Sequence, residues 1–129
     1  MATPVRLEHV AIPTTEENHD EVVRFYQDNF GWTTVRAFGD PDSRITFIGD
    51  DNGSTLEIYV KPGPPLTLPS HLAFAVPIAE YDALKEKLEA AGVSFDIVTE
   101  NAEGDKLAYF VDPANNRAQI VGRHKPLRG

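Results

Sequence analysis

Apolar and polar residues alternate in the segment LEHVAI, where Val10 and Ile12 stand opposite His9 and Ala11, the period-two signature of a half-buried strand. The next segment, TTEENHDEVVRFYQDNFG, changes to a helical period. Thr14 and Glu17 have the spacing of a capping box, Val22, Val23, Tyr26 and Phe30 form an apolar stripe, and Gly31 supplies the stop. Three β-like runs follow, WTTVRAF, RITFIGD and TLEIYV. The last two are separated by DNGS, whose Asn52-Gly53 pair predicts a two-residue hairpin turn and so sets Ile48 opposite Glu57. The stretch KPGPPLTLP, from Lys61 to Pro69, has four prolines that cannot donate to a ladder, and it predicts an extended connector. Beyond it the order returns: strand HLAFAVP, helix AEYDALKEKLEAAG with Tyr81, Leu84 and Leu88 on one face, then strands VSFDIVT, KLAYFVD and RAQIVG.

Both halves therefore read βαβββ, and they agree residue by residue. Shifting the chain by 62 positions lays His9 on His71 and Glu57 on Gln119, with HVAI over HLAF and TFIGDDNGSTLEIYV over AYFVDPANNRAQIVG. Strand parity puts these four polar residues opposite the apolar positions of their own strands: Leu56, Ile58 and Val60 oppose Glu57, and Ala118 and Ile120 oppose Gln119. If helices cover the apolar face, the other face carries His9, Glu57, His71 and Gln119 among small neighbours such as Ala11 and Ala73. The expected hairpin register adds Ile48 and, through the repeat, Phe110 as pocket walls. Tyr59 shares the face of Glu57.

Composition narrows the partners. The formal net charge is −8, which does not suit a phosphate-binding surface, so nucleic acid is not expected as a partner. No apolar run reaches the roughly 20 residues of a membrane span, and MATPVRLEH lacks the apolar core of a signal peptide. The chain has 0 cysteines, which fits a cytoplasmic setting and leaves His, Glu, Asp and amide oxygens as the available metal ligands. His19 and His124 are expected in solvent, and Asp112-Pro113 with the following asparagines is expected to form a turn.

The segments EHVAI, FYQDNFGW, LEIYV and YFVDPANNRAQIV resemble the signatures of the vicinal oxygen chelate superfamily, which comprises glyoxalases, bleomycin-resistance proteins and extradiol dioxygenases. The resemblance runs over nearly the whole chain. It implies an α+β fold in which two tandem βαβββ modules, about 5–60 and 70–123 on either side of the connector, form a cup-shaped eight-stranded mixed sheet with helices outside. It further implies a single glyoxalase-like domain, a homodimer, in some relatives with cups built from both chains, and a divalent metal held at the positions of His9, Glu57, His71 and Gln119.

Two imidazoles, one carboxylate and one amide oxygen suit Zn²⁺, Ni²⁺, Co²⁺, Fe²⁺ or Mn²⁺. Glu57 is the one member of this set that can serve as a general base, since Gln119 takes no proton. A single base disfavours an epimerase and fits a lyase or isomerase that acts on a small oxygen-bearing substrate through a metal-stabilised enediolate. Pro13 and Lys61 stand where glutathione-dependent relatives carry Arg and Asn, so glutathione is not the expected thiol. An extradiol-type dioxygenase is the alternative, although its carboxylate would sit on the last strand, where this chain has Gln119. A non-catalytic drug- or metabolite-binding protein is the other alternative, and it would not need the full ligand set.

Overall fold

The computed structural model describes residues 5–64 and 70–128. Residues 65–69 hold most of the Pro-rich connector, so the extended conformation expected there, and any strand exchange through it, lie outside the described residues. Residues 5–64 form one compact unit and residues 70–128 a second.

In the first unit, β1 (Val10–Thr14), α1 (His19–Phe30), β2 (Thr33–Phe38), β3 (Ile45–Gly49) and β4 (Thr55–Val60) follow the expected order. They build a four-stranded sheet in the order β1-β4-β3-β2, with β1 parallel to β4 and the other pairs antiparallel. The second unit repeats the plan with β5 (Leu72–Pro77), α2 (Ile78–Ala90), β6 (Ile97–Glu100), β7 (Lys106–Val111) and β8 (Arg117–Arg123), in the order β5-β8-β7-β6. The fold is thus α+β, with its eight strands hydrogen-bonded as two mixed sheets of four.

Each sheet buries one face. Leu56, Ile58 and Val60 on β4 and Ile48 on β3 share a side with Ile12, and α1 adds Val22 and Tyr26 to this core. In the second unit Ala118 and Ile120 on β8, Phe110 on β7 and Leu88 on α2 play the same part. Burying a side chain of this size contributes about 1.5–3 kcal/mol, so the apolar face holds each helix to its sheet. Tyr81 of α2 lies so close to β8 that a Cβ on Gly122 would stand 2.7 Å from the Cβ of Tyr81.

The hairpin turn departs from expectation, and the departure moves two predicted pocket residues. Asp50 accepts backbone hydrogen bonds from Asn52 and Ser54 through one carboxylate oxygen, both at 2.9 Å, and its own amide donates to the Ser54 carbonyl. This side-chain-capped loop spans Asp51, Asn52 and Gly53, one residue more than the two-residue turn, and Gly53 takes a φ of 93°. The register shifts by one: Phe47, not Ile48, faces Glu57, while Ile48 pairs with Leu56 and is fully buried under α1. The second module repeats the device. Asp112 caps Ala114 and Asn116, Asn115 takes a φ of 68°, and Tyr109, not Phe110, faces Gln119. Ile48 and Phe110 are therefore core residues and not pocket walls.

The start of α1 also differs. Thr15 and Asn18 exchange side-chain to backbone hydrogen bonds at 2.7 and 3.2 Å, and the helix begins at His19, two residues beyond Glu17. Thr14, freed from capping, is buried. Its hydroxyl donates to the Tyr59 carbonyl at 3.0 Å and so accepts from His19 Nδ1 at 2.9 Å; His19 Nε2 then accepts from the Thr46 hydroxyl at 2.9 Å. His19 is thus fully buried as a neutral clasp between helix and sheet, not solvated. The expected β6 is short as well, because Val93 is taken up by the end of α2, where its amide donates to the Leu88 carbonyl.

Burial, aided by the charge of Arg44 and opposed by Asp20, holds the His19 imidazole below its ordinary value of 6.5. The unfolded chain then takes up the proton first, so this contribution is complete above pH 6.5 and is lost as pH falls from there towards the folded-state value. Replacing His19 with Ala leaves the buried Thr46 hydroxyl without its acceptor and opens a cavity, and should cost about 2–4 kcal/mol. Chemical denaturation at about pH 7.5 and about pH 5.5 checks both statements. The variant should lose less stability on acidification than the parent, and parallel losses would contradict the clasp.

Candidate functional site

The expected polar residues of β4 and β8, Glu57 and Gln119, lie on strand positions that alternate with the buried apolar ones of the first sheet and with Ala118 and Ile120 of the second. On the first sheet, Ala11 pairs with Glu57 across β1 and β4, and Phe47 pairs with Glu57 from the other side. His9, just before β1, sets its ring edge-on to Phe47, with centroids 5.3 Å apart. This contact brings its Nε2 to 3.5 Å from Glu57 Oε2, both side chains being half-buried. Tyr59 lies on the same face, two residues along β4, and is also half-buried.

The other nitrogen of His9 has a partner. Nδ1 lies 2.8 Å from the Glu8 carboxylate, and donating its proton there leaves the Nε2 lone pair directed at Glu57. Two acceptors facing each other repel unless a proton or a cation lies between them. Donor atoms held about 2.1 Å from a common ion at a tetrahedral angle stand about 3.4 Å apart, so the observed spacing fits two ligands of one metal. The contact from Glu8 is the kind of outer hydrogen bond that sets a metal-binding imidazole's tautomer.

The second sheet repeats half of this design. Ala73 pairs with Gln119 across β5 and β8, and Tyr109 pairs with Gln119 from β7. His71, just before β5, lies edge-on to Tyr109 with centroids 5.6 Å apart, as His9 does to Phe47. Gln119 is buried, and its Nε2 has no hydrogen-bond partner, a cost of about 1–3 kcal/mol unless the amide serves a ligand or a bound water. The unpaired Nε2 is a donor and fits an acceptor such as a substrate oxygen or a bound water, while Oε1 is the atom through which the amide could serve as a weak neutral ligand.

The structure therefore brings His9 together with Glu57 on the face that holds Ala11 and Tyr59, and it sets Ala73 beside Gln119, with His71 edge-on to Tyr109, the cross-strand partner of Gln119. Among the described residues, no three His, Cys, Asp or Glu side chains gather into one cluster. Sequence reasoning missed Phe47 and Tyr109, the rings that orient the two histidines. Their signal was present in Asp50 and Asp112, whose carboxylates lengthen the turns. The expected turn at Asp112 is there, and His124, expected in solvent, is exposed, although its ring nitrogen lies 3.1 Å from the Gly104 carbonyl.

No helix is long and apolar enough to cross a membrane among the described residues. The fold is shared by solved structures of low sequence identity. The fosfomycin resistance protein FosX from Listeria monocytogenes, complexed with Mn(II) and sulfate ion, is 20% identical, with 94% of each chain covered and a TM-score of 0.74. The oxidase ChaP-H2 is 22% identical, with 98% of this chain and 100% of that one covered and a TM-score of 0.75. An integron cassette protein from the mobile metagenome of the Halifax Harbour sewage outfall is 21% identical, with 92% and 98% covered and a TM-score of 0.74. No curated protein matches the chain in sequence. The model of the Glyoxalase/Bleomycin resistance protein/Dioxygenase superfamily matches residues 6–120, and the chain belongs to that superfamily.

Proposed function

We propose that this protein is a divalent-metal-dependent lyase or isomerase of the glyoxalase type, acting on a small oxygen-bearing substrate, with His9, Glu57, His71 and Gln119 as the ligand set. The observation that carries the reading is the 3.5 Å approach of His9 Nε2 to Glu57 Oε2, with the same imidazole-on-ring arrangement at His71 and Tyr109. FosX, of the same fold, is described with Mn(II). A bound divalent ion would supply Lewis-acid polarisation of a substrate oxygen, a contribution of several kcal/mol to charge development.

The rest of the chemistry falls to the chain itself. Glu57 is the only carboxylate in the set, and it is the group that takes a proton from substrate carbon and returns it. Ala11 leaves space beside it, because its methyl group cannot fill the pleat between β1 and β4. Phe47 holds the His9 ring in place and shields one flank of Glu57 from water. Gln119 in the equivalent place cannot exchange protons, so the two sides of the substrate meet different chemistry. Pro13 has no side-chain donor, and with Lys61 it does not reproduce the Arg and Asn of glutathione-dependent relatives, so a different or no thiol partner is the consequence.

A homodimer belongs to the same proposal. Val35, Val98 and Val111 stay exposed on the lone chain, and a second copy is the partner expected to cover such surface. The absence of cysteine supports a cytoplasmic setting.

Metal titration by calorimetry, with Zn²⁺ or Ni²⁺, should show one ion per chain and a raised melting temperature. His71→Ala should weaken binding by about tenfold or more. No binding by the parent protein would overturn the metal reading. Glu57→Gln keeps the shape of the side chain and removes the base. With a 2-oxoaldehyde adduct as substrate it should lower turnover by about 100-fold or more while part of the metal affinity remains. Undiminished turnover would put the base elsewhere. Oxygen uptake with a catechol on the Fe²⁺-loaded protein, without isomerisation, would favour the dioxygenase alternative.

A further inference from the structure

We infer that the substrate of this site carries an anionic group, and that Arg36 receives it across an aromatic wall formed by Phe38 and Phe47. The inference rests on the reading of His9 and Glu57 as metal ligands and adds the substrate's charge and shape.

The register of the first sheet makes one row of side chains on the face away from α1. Arg36 on β2 pairs with Phe47 on β3, Phe47 with Glu57 on β4, and Glu57 with Ala11 on β1. A β-bulge between Thr34 and Arg36 is what turns Arg36 to this side, since Thr34 pairs with the buried Ile48. Adjacent strands lie about 4.8 Å apart, so Arg36 starts about 10 Å from Glu57, with Phe47 between them. Phe38, two residues further along β2, packs on Phe47 with centroids 6.2 Å apart yet remains 51% exposed. Together with the His9 ring they form a continuous aromatic surface that ends at the Glu57 carboxylate on one side and at Arg36 on the other.

Like Arg6 and Arg24, Arg36 is not in an ion pair, but it is the one of the three on the sheet face that carries Phe47 and Glu57. Arg44 pairs with Asp20, Arg117 with Asp96 at 2.8 Å and Arg123 with Asp105 at 3.1 Å. The Arg36 guanidinium makes no ion pair or hydrogen bond with any described residue. An unpaired guanidinium at the edge of a binding face, in a chain of net charge −8, is a ready partner for a carboxylate or phosphonate. The equivalent row of the second sheet, Ile97, Tyr109, Gln119 and Ala73, is uncharged, and the Arg117 guanidinium that lies over the Tyr109 ring is already paired with Asp96, so the unpaired cation belongs to the first sheet. The substrate that fits is a small oxygen-bearing molecule with an apolar portion for Phe47 and Phe38 and an anionic group beyond it.

The matched pair 3,4-dihydroxybenzoate and 3,4-dihydroxybenzamide tests this on the zinc-loaded protein, because the two differ in the charge beyond the ring. Calorimetry should show the acid binding about tenfold more tightly than the amide. Arg36→Gln should abolish that preference, Arg36→Lys should keep part of it, and Phe47→Leu should weaken both compounds together. Zinc affinity, measured in parallel, should be the same in the Arg36 variants as in the parent. Equal binding of acid and amide to the zinc-loaded parent, or an unchanged preference in Arg36→Gln, would overturn the role of Arg36 and leave the metal reading standing. Failure of the parent to bind zinc would overturn both.

Discussion

Each sheet must bury one face beneath its helix, and that requirement decides what its other face can carry. Along β4 the alternation is strict: Leu56, Ile58 and Val60 are buried on the side of α1, while Thr55, Glu57 and Tyr59 are only partly covered on the other. A slip of one residue would drive Glu57 into the core, at the cost of desolvating a carboxylate, and would expose three aliphatic side chains. The apolar core thereby holds the register, and the register holds the candidate ligands in place.

Two local devices transmit that constraint to the site. The Asp50 and Asp112 carboxylates each cap a loop and fix the register of the following hairpin, so that an aromatic ring from the neighbouring strand lies beside each ligand pair. The buried clasp of Thr14, His19 and Thr46 ties α1 to both β1 and β3. Its counterpart in the second module has diverged. The repeat sets Tyr81 where His19 stands, but Val76 and Ala108 replace the two threonines, and the Tyr81 hydroxyl is left buried without a partner. The two modules thus match more closely in the polar residues of the face away from the helices than in the hydrogen bonds behind it.

Much of this was legible in the sequence because it depends on period and on repetition. The alternation in TLEIYV predicted β4 to the residue, and the 62-residue repeat picked out His9, Glu57, His71 and Gln119 as members of like-facing positions. The misreadings share a cause: a short polar side chain that bonds to the backbone can serve in more than one way. Asn52-Gly53 suggested the shorter turn, but Asp50 supplies the acceptor that stabilises a longer one. Thr14 had the spacing of a cap, but Thr15 and Asn18 cap each other and leave it to His19. Arg36 could not be assigned a face at all, because the bulge before it breaks the period on which parity rests.

The ligand set proposed here takes His9 and Glu57 from the first module and His71 and Gln119 from the second. X-ray absorption at the metal edge of the nickel-loaded protein examines that shell directly. The expected result is the multiple-scattering signature of two imidazoles on a mixed nitrogen and oxygen shell, reduced to one imidazole in either His→Ala variant. A shell of oxygen ligands alone, or one unchanged by replacing either histidine, would contradict it.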